Sequence, residues 1–231
     1  MTFHYAFTRN HTSFTVSKSA GSVSAILIRP TDAKALLAFA HGAGAGMRQK
    51  LNEAIAHRLV ELNIATFRYQ FPYMEQGSKR PDSKPVLYAT VRSAVETAAK
   101  LANGLPLFAG GKSFGGRMTS NAAAEEPLQG VRGIVFFGFP LHPPGKPSIE
   151  RAEHLSKVTV PMLFLQGTRD EFAEMKLLKP VVKKLGKLAT LHIIEGADHS
   201  FHVLKSSGRT DGEVIDEIAK AAGAWIKITS D

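Results

Sequence analysis

Six short apolar runs alternate along this chain with stretches of helical periodicity: Leu36 to Ala40, Ile64 to Tyr69, Pro106 to Ala109, Val131 to Phe137, Val160 to Leu165 and Ala189 to Ile194. Short runs with little polar alternation suit strands buried on both faces. Strands separated by helices return parallel to one another, because a parallel pair needs a long crossover connection. Leu51, Ile55, Leu59 and Leu62 repeat at helical period between the first two runs, Leu87, Val91, Val95, Ala98 and Leu101 before the third, and Val214, Ile215, Ile218, Ala222 and Trp225 near the end. The expected class is therefore α/β, a mostly parallel central sheet flanked by helices on both faces. Phe14, Val16, Val23, Ile26 and Ile28 around Ala20-Gly21 read as an N-terminal antiparallel hairpin at the sheet edge.

A chain of 231 residues with 44% hydrophobic content can bury one sizeable core, and no linker or repeat divides it, so residues 1–231 are read as one domain. No stretch is apolar enough to span a membrane, and the start, MTFHYAFTRNHTSF, lacks the order of a secretion signal; the expected location is cytoplasmic. With no cysteine, serine, threonine or water must carry any nucleophilic role. The net charge of +9 is spread along the chain. Its densest groups, Lys176 with Lys179 and Lys183-Lys184 with Lys187, fall at helical spacing beside Leu177, Leu178, Val181 and Leu185, a solvated helix face and not a nucleic-acid surface. No metal, organic cofactor or membrane partner is expected, and the oligomeric state is left open.

Gly111-Lys112-Ser113-Phe114-Gly115 matches G-x-S-x-G between an apolar strand and a small-residue helix from Gly116 to Ala124. Side chains at Gly111 or Gly115 would collide with neighbouring backbone in so tight an elbow, which thrusts the serine hydroxyl into the open. A serine becomes nucleophilic when an imidazole takes its proton, and a carboxylate must orient that imidazole. Asp170 follows the Val160 run and His199 follows the Ala189 run, so both fall at strand carboxyl ends, in the order Ser, acid, His. The competing role for Asp170 is an N-cap for a helix beginning at Glu171, itself the reserve acid; His202 is the rival base, and Asp198 is read as structuring its loop. His41-Gly42-Ala43-Gly44-Ala45-Gly46 follows the first run and can supply an oxyanion hole from the N–H groups of Ala43 and Phe114, with Gly44 as substitute.

Lys112, Arg117 and Arg68 are candidate contacts for an anionic substrate, set against a structural reading in which Arg117 pairs with Asp82 or Glu75 to lock the loops. His142, in the rim loop Pro140 to Pro147, is a further candidate substrate contact. Only about 20 residues separate the Val131 and Val160 runs, too few for a substantial lid. Gly110-Gly111-Lys112-Ser113 also has the letters of a phosphate-binding loop, but its first glycine would fall at Pro106, which removes the turn and an N–H donor. Gly42-Ala43-Gly44-Ala45-Gly46 has its third glycine misplaced for a dinucleotide fingerprint, and no acid ends the next strand, which carries Arg68.

From strand 36 onward the pattern resembles the α/β-hydrolase superfamily. His41-Gly42-Ala43-Gly44, Phe67 to Tyr73, Pro81-Asp82, Gly110 to Arg117 and Pro140 to Gly145 are similar to a subgroup holding bacterial proteins, a testis-expressed protein and a subunit of the nonspecific-lethal histone acetyltransferase complex. The likeness to dienelactone hydrolases is looser. The resemblance implies the fold and the positions Ser113, Asp170 and His199, and supplies no substrate. The resulting expectation is a carboxylesterase-like serine hydrolase acting on a small, anionic or neutral ester; the alternative is a hydrolase-fold scaffold that binds a protein partner with little activity.

Overall fold

A computed structural model describes residues 6–230; the first five residues, part of the start read above as lacking a secretion signal, and Asp231 lie outside the described residues. Eight strands form one sheet in the order β1-β2-β4-β3-β5-β6-β7-β8. They are β1 (Phe7–Ser17), β2 (Gly21–Pro30), β3 (Ala35–Ala40), β4 (Ile64–Tyr69), β5 (Leu107–Lys112), β6 (Val131–Phe137), β7 (Met162–Gly167) and β8 (Ala189–Ile194). The hairpin β1-β2 joins β4 antiparallel, and every pairing from β4 through β8 is parallel. This is the expected mostly parallel sheet with an N-terminal antiparallel hairpin, in the α/β-hydrolase arrangement.

Side chains of a strand point alternately to the two faces, and the continuous apolar runs fill both. On β3, Leu36, Ala38 and Ala40 join the layer that holds α3 (Lys84–Ala102), α4 (Phe114–Glu125) and α5 (Met175–Leu185), while Ala35, Leu37 and Phe39 join the layer of α1 (Lys50–Glu61) and α6 (Asp211–Ser230). Burying each large side chain of these layers contributes about 1.5–3 kcal/mol, so the two apolar faces largely hold the sheet in place. The lysines of α5 are exposed, and Leu178 and Val182 form its buried stripe.

Several boundaries differ from those read in the sequence. β5 runs on through Gly110 and Gly111 to Lys112, because these glycines pair with Phe39 and Ala40 on one side and with Val135 and Phe136 on the other. Glycine is a weak strand former on its own, so only the neighbouring strands reveal the extension. β7 begins after Pro161, which has no N–H to give the ladder. The helix after Ser113 begins at Phe114 and not at Gly116. A short helix α2 (Pro72–Glu75) and a 3-10 helix at Glu150–Lys157 have too few turns to show a periodic stripe. Between Phe137 and Met162 that 3-10 helix is the one helical element, and no covering layer is built there. The carboxyl ends of β3 to β8 share one edge, where the loops carrying His41, Ser113, Asp170 and His199 emerge.

Candidate active site

Ser113 is the residue between β5 and α4, with φ 50° and ψ −116°. A positive φ on a residue with a Cβ costs of order 1–3 kcal/mol and persists only where surroundings enforce it. Here the Ser113 N–H donates to the Phe137 carbonyl at 3.1 Å, and the flanking glycines lie against backbone. A Cβ on Gly111 would sit 2.4 Å from the Ala40 carbonyl oxygen, and one on Gly115 2.5 Å from that of His41. The two glycines thus let β3, β5 and α4 close on each other, and the turn leaves the serine side chain no cap to make.

The Ser113 Oγ lies 2.8 Å from His199 Nε2, and His199 Nδ1 lies 2.7 Å from Asp170 Oδ2. A carboxylate facing Nδ1 accepts, so Nδ1 carries the proton, and Nε2 keeps a lone pair able to accept from the serine hydroxyl. Burial pushes the His199 pKa down, and the neighbouring Lys112 cation pushes the same way against the hydrogen bond that the ring donates to Asp170. The imidazole is accordingly neutral near pH 7, the form able to take a proton. The Phe172 ring lies over it at 4.2 Å between centroids and 30°.

The Asp170 side chain is buried and caps no helix at Glu171: its Oδ1 accepts from the Phe172 N–H at 2.8 Å, and α5 begins only at Met175. Its Oδ2 also accepts from the Gln166 amide, whose own Oε1 accepts from the Phe139 N–H at 2.8 Å. Gln166, fully buried at the end of β7, thus ties the acid to the strand end behind Ser113. Sequence reading missed it; a glutamine within an otherwise apolar strand, four residues before the acid, was the available signal. Glu171 is exposed beside a shallow cleft of about 350 Å³ that also borders Phe172, His199 and Ser200. His202 faces Asp211 at 2.9 Å and not Ser113. Asp198 accepts from the N–H groups of Ser200 and His202 at 2.7 and 2.9 Å, which shapes the loop presenting His199.

The loop His41 to Gly46 passes beside Ser113, with a Cβ on Gly42 3.9 Å from that of the serine. Phe71 N–H donates to His41 Nε2 at 3.2 Å, which fixes the same tautomer as in His199 and makes Nδ1 the donor to the Gly42 carbonyl at 2.7 Å. Burial depresses this histidine to about 4, so it is a neutral strut under the loop. The Gly44 N–H donates to the Tyr73 hydroxyl at 3.3 Å, which removes Gly44 as substitute oxyanion donor; Ala43 and Phe114 keep amides not committed to another group among the described residues.

Three expected substrate contacts are placed elsewhere. Arg68 is 1% exposed, donating to the Met47 carbonyl at 3.0 Å and facing Glu53 at 3.4 Å, because its strand position points it into the α1 layer. His142 is 1% exposed, bound to the Pro143 carbonyl at 2.9 Å and accepting from the Glu174 N–H at 3.4 Å. Lys112 points inward behind His199, its Nζ without a hydrogen-bond partner and its pKa pushed down by burial to about 8. Arg117 pairs with neither Asp82 nor Glu75: Asp82 accepts from the Tyr73 N–H and Glu75 from Ser24. Among the described residues no group of three or more His, Asp or Glu is arranged to hold a metal ion, and no helix is long and apolar enough to cross a membrane. A larger groove of about 730 Å³ between β8 and α6, bordered by Leu191, Trp225 and Ile228, holds none of the candidate site residues.

Comparison with known proteins agrees with this arrangement of elements. The chain is similar in structure to a dienelactone hydrolase from Anabaena variabilis, at 21% identity and TM-score 0.76 over 96% of this chain and 97% of that one. It is similar to a serine hydrolase without a lid from Xanthomonas campestris, at 18% identity and TM-score 0.73 over 94% of each. The esterase domain of a Rhodothermus marinus protein matches at 14% identity and TM-score 0.70, over 94% of this chain and 97% of that one. At such identities these likenesses establish the fold, and the sequence itself matches the alpha/beta hydrolase domain family over residues 33–227, so the chain belongs to the alpha/beta hydrolases.

Proposed function

We propose that this chain is a serine hydrolase that cleaves small carboxylic esters through an acyl-enzyme. The observation that carries the reading is the continuous relay from Ser113 Oγ to His199 Nε2 at 2.8 Å and from His199 Nδ1 to Asp170 at 2.7 Å. Ser113 Oγ attacks the ester carbonyl carbon while its proton passes to His199 Nε2. The amides of Phe114 and Ala43 hold the oxyanion, where each such donor contributes on the order of 2.7–4 kcal/mol. Collapse of the tetrahedral species breaks the bond to the alcohol oxygen, which takes the proton from His199 as it leaves. A water then gives a proton to His199 and attacks the acyl-enzyme, and collapse returns the proton to Ser113 and frees the acid. Asp170 stays an acceptor throughout, orienting the ring and stabilising the imidazolium. No step calls for a metal or organic cofactor.

The short connection between β6 and β7 favours small esters over peptides, since it builds no wall to grip an extended chain. A fluorophosphonate probe should label the wild-type protein and fail on Ser113→Ala, and a series of p-nitrophenyl esters of increasing chain length should be turned over with a preference for short acyl groups. Absence of labelling together with inactivity on every ester would overturn the proposal and leave the scaffold reading.

A further inference from the structure

Most partly buried arginines of this chain have an acceptor. Arg58, Arg68, Arg92 and Arg209, for example, face carboxylates. Arg117 and Arg151 differ: both are only partly exposed, and neither has a carboxylate or carbonyl partner among the described residues, the Arg117 Nε being fully buried without one.

Their places in the fold bring these two cations to the edge that holds Ser113. Arg117 is the fourth residue of α4, the helix that starts directly after Ser113, and helical side chains lean back toward the N-terminus. Its guanidinium lies 5.8 Å from the centre of the Phe114 ring, on the residue whose amide is a candidate oxyanion donor. Arg151 is the second residue of the 3-10 helix that follows the loop leaving the carboxyl end of β6. That helix is fastened to α4 by the Ser120 Oγ to His154 Nε2 contact at 2.7 Å. The two positive charges repel: burial first, and then Arg151, depress Arg117. Among the described residues no neighbour neutralises them. His154 is held to about 4 by burial and by Arg117 and stays uncharged, Glu125 is taken by Arg92, and Glu150 and Glu153 are exposed on the 3-10 helix, paired with neither arginine.

A desolvated guanidinium without a counter-charge is unfavourable, and an arriving carboxylate, which matches its planar fork, relieves that penalty. The direction of approach follows from the reaction. The leaving alcohol must stay within reach of His199, on the loop after β8, so the acyl chain is assigned to the side of α4, where Phe114 and Arg117 stand and where the 3-10 helix carrying Arg151 is fastened. Building on the hydrolase reading above, we propose that Arg117 and Arg151 form a carboxylate subsite, so that the preferred substrate is an ester with a free carboxylate at the far end of a short acyl chain. Four residues of helix rise about 6 Å, which sets the linker at a few carbons.

The test compares kcat/KM for mono-p-nitrophenyl glutarate with that for p-nitrophenyl pentanoate, near-isosteric acyl groups that differ in charge. The wild-type protein should favour the glutarate ester, and Arg117→Gln or Arg151→Gln should lower the glutarate-to-pentanoate ratio roughly tenfold or more. Using the ratio removes any general loss from altered folding. A wild-type ratio near one, or a ratio that both substitutions leave in place, overturns the subsite while the hydrolase reading stands. If no ester is turned over and the fluorophosphonate fails to label, the hydrolase reading fails by itself, and calorimetric titration of Ser113→Ala with monomethyl glutarate still decides the subsite. Binding that weakens at least tenfold on adding Arg151→Gln supports it; no binding, or binding indifferent to that change, refutes it.

Discussion

Gly115→Ala sets two effects of opposite sign against each other, and the structure decides between them. Gly115 is the second residue of α4, with no positive φ, so alanine should favour the helix by up to about 1 kcal/mol. The added Cβ would stand 2.5 Å from the His41 carbonyl oxygen and 2.7 Å from both the carbonyl carbon and the Cβ of Ala40, where real Cβ atoms essentially never come within 3.0 Å. These neighbours are mostly backbone of β3 and its exit loop, which cannot rotate away. The helix start must therefore retreat by about 0.5–0.9 Å, the difference between 2.5 Å and contacts of 3.0 to 3.4 Å. Overpacking of this kind costs about 1–3 kcal/mol, so the net change is destabilising or near zero by stability alone. At roughly 2–4 °C per kcal/mol, the melting temperature should fall by up to about 10 °C. Catalysis should suffer more, because the same shift carries Ser113 and the Phe114 amide out of line with His199 and Ala43, and a displacement near 1 Å can reduce turnover about a hundredfold. Circular-dichroism melts and kcat/KM on p-nitrophenyl acetate read the two effects. Gly212→Ala, where the nearest atom to the new Cβ is 3.8 Å away in an exposed first turn, serves as control and should leave both readings unchanged or slightly raise the melting temperature. A Gly115→Ala protein with wild-type melting and turnover would refute the close approach of α4 to β3 and the elbow argument with it.

Further outcomes concern the groups behind Ser113. Because burial and the Lys112 cation both depress His199, the acid limb of kcat/KM should lie below pH 6.5, and Lys112→Met, which removes a cation that opposes protonation, should move that limb to higher pH; no movement would separate Lys112 from the imidazole. The same lysine titrates at about 8 folded against 10.5 unfolded, so the unfolded chain binds the extra proton in this interval and stability should climb from about pH 8 to 10.5. In urea melts Lys112→Met should be more stable than wild type at pH 7 and should lose this climb; parallel pH profiles would refute the assignment. Gln166→Leu strands the Phe139 N–H and withdraws a donor from Asp170, which should cost about 1–3 kcal/mol of stability and lower kcat more than it raises KM; an unchanged kcat would show that Asp170 holds its orientation without the amide.

Much of the architecture was legible in the residue pattern because burial acts locally. Apolar runs that fill both faces of a parallel sheet, separated by stripes at helical period, leave little choice of layer order. Ser113, Asp170 and His199 were readable for a related reason: in such a sheet the strand carboxyl ends share an edge, so a serine flanked by small residues, an acid and a histidine placed after successive strands are brought to one place. The strand Leu107–Lys112 was harder, since Gly110 and Gly111 show their strand character only against β3 and β6. The 3-10 helix Glu150–Lys157 was missed because a few turns cannot establish a period.

What the sequence by itself determined is the class of fold and the edge at which three chemically capable residues emerge, both consequences of periodicity and chain order. Only the tertiary structure decided which polar groups face which. It turned Arg68 and His142 into buried struts, set Gln166 behind Asp170 and Phe172 over His199, engaged the Gly44 amide with Tyr73, and left Arg117 and Arg151 without a counter-charge among the described residues. Hydrogen bonds and ion pairs act over about 3 to 4 Å between residues far apart in the chain, so their partners are settled by packing, which no local pattern encodes.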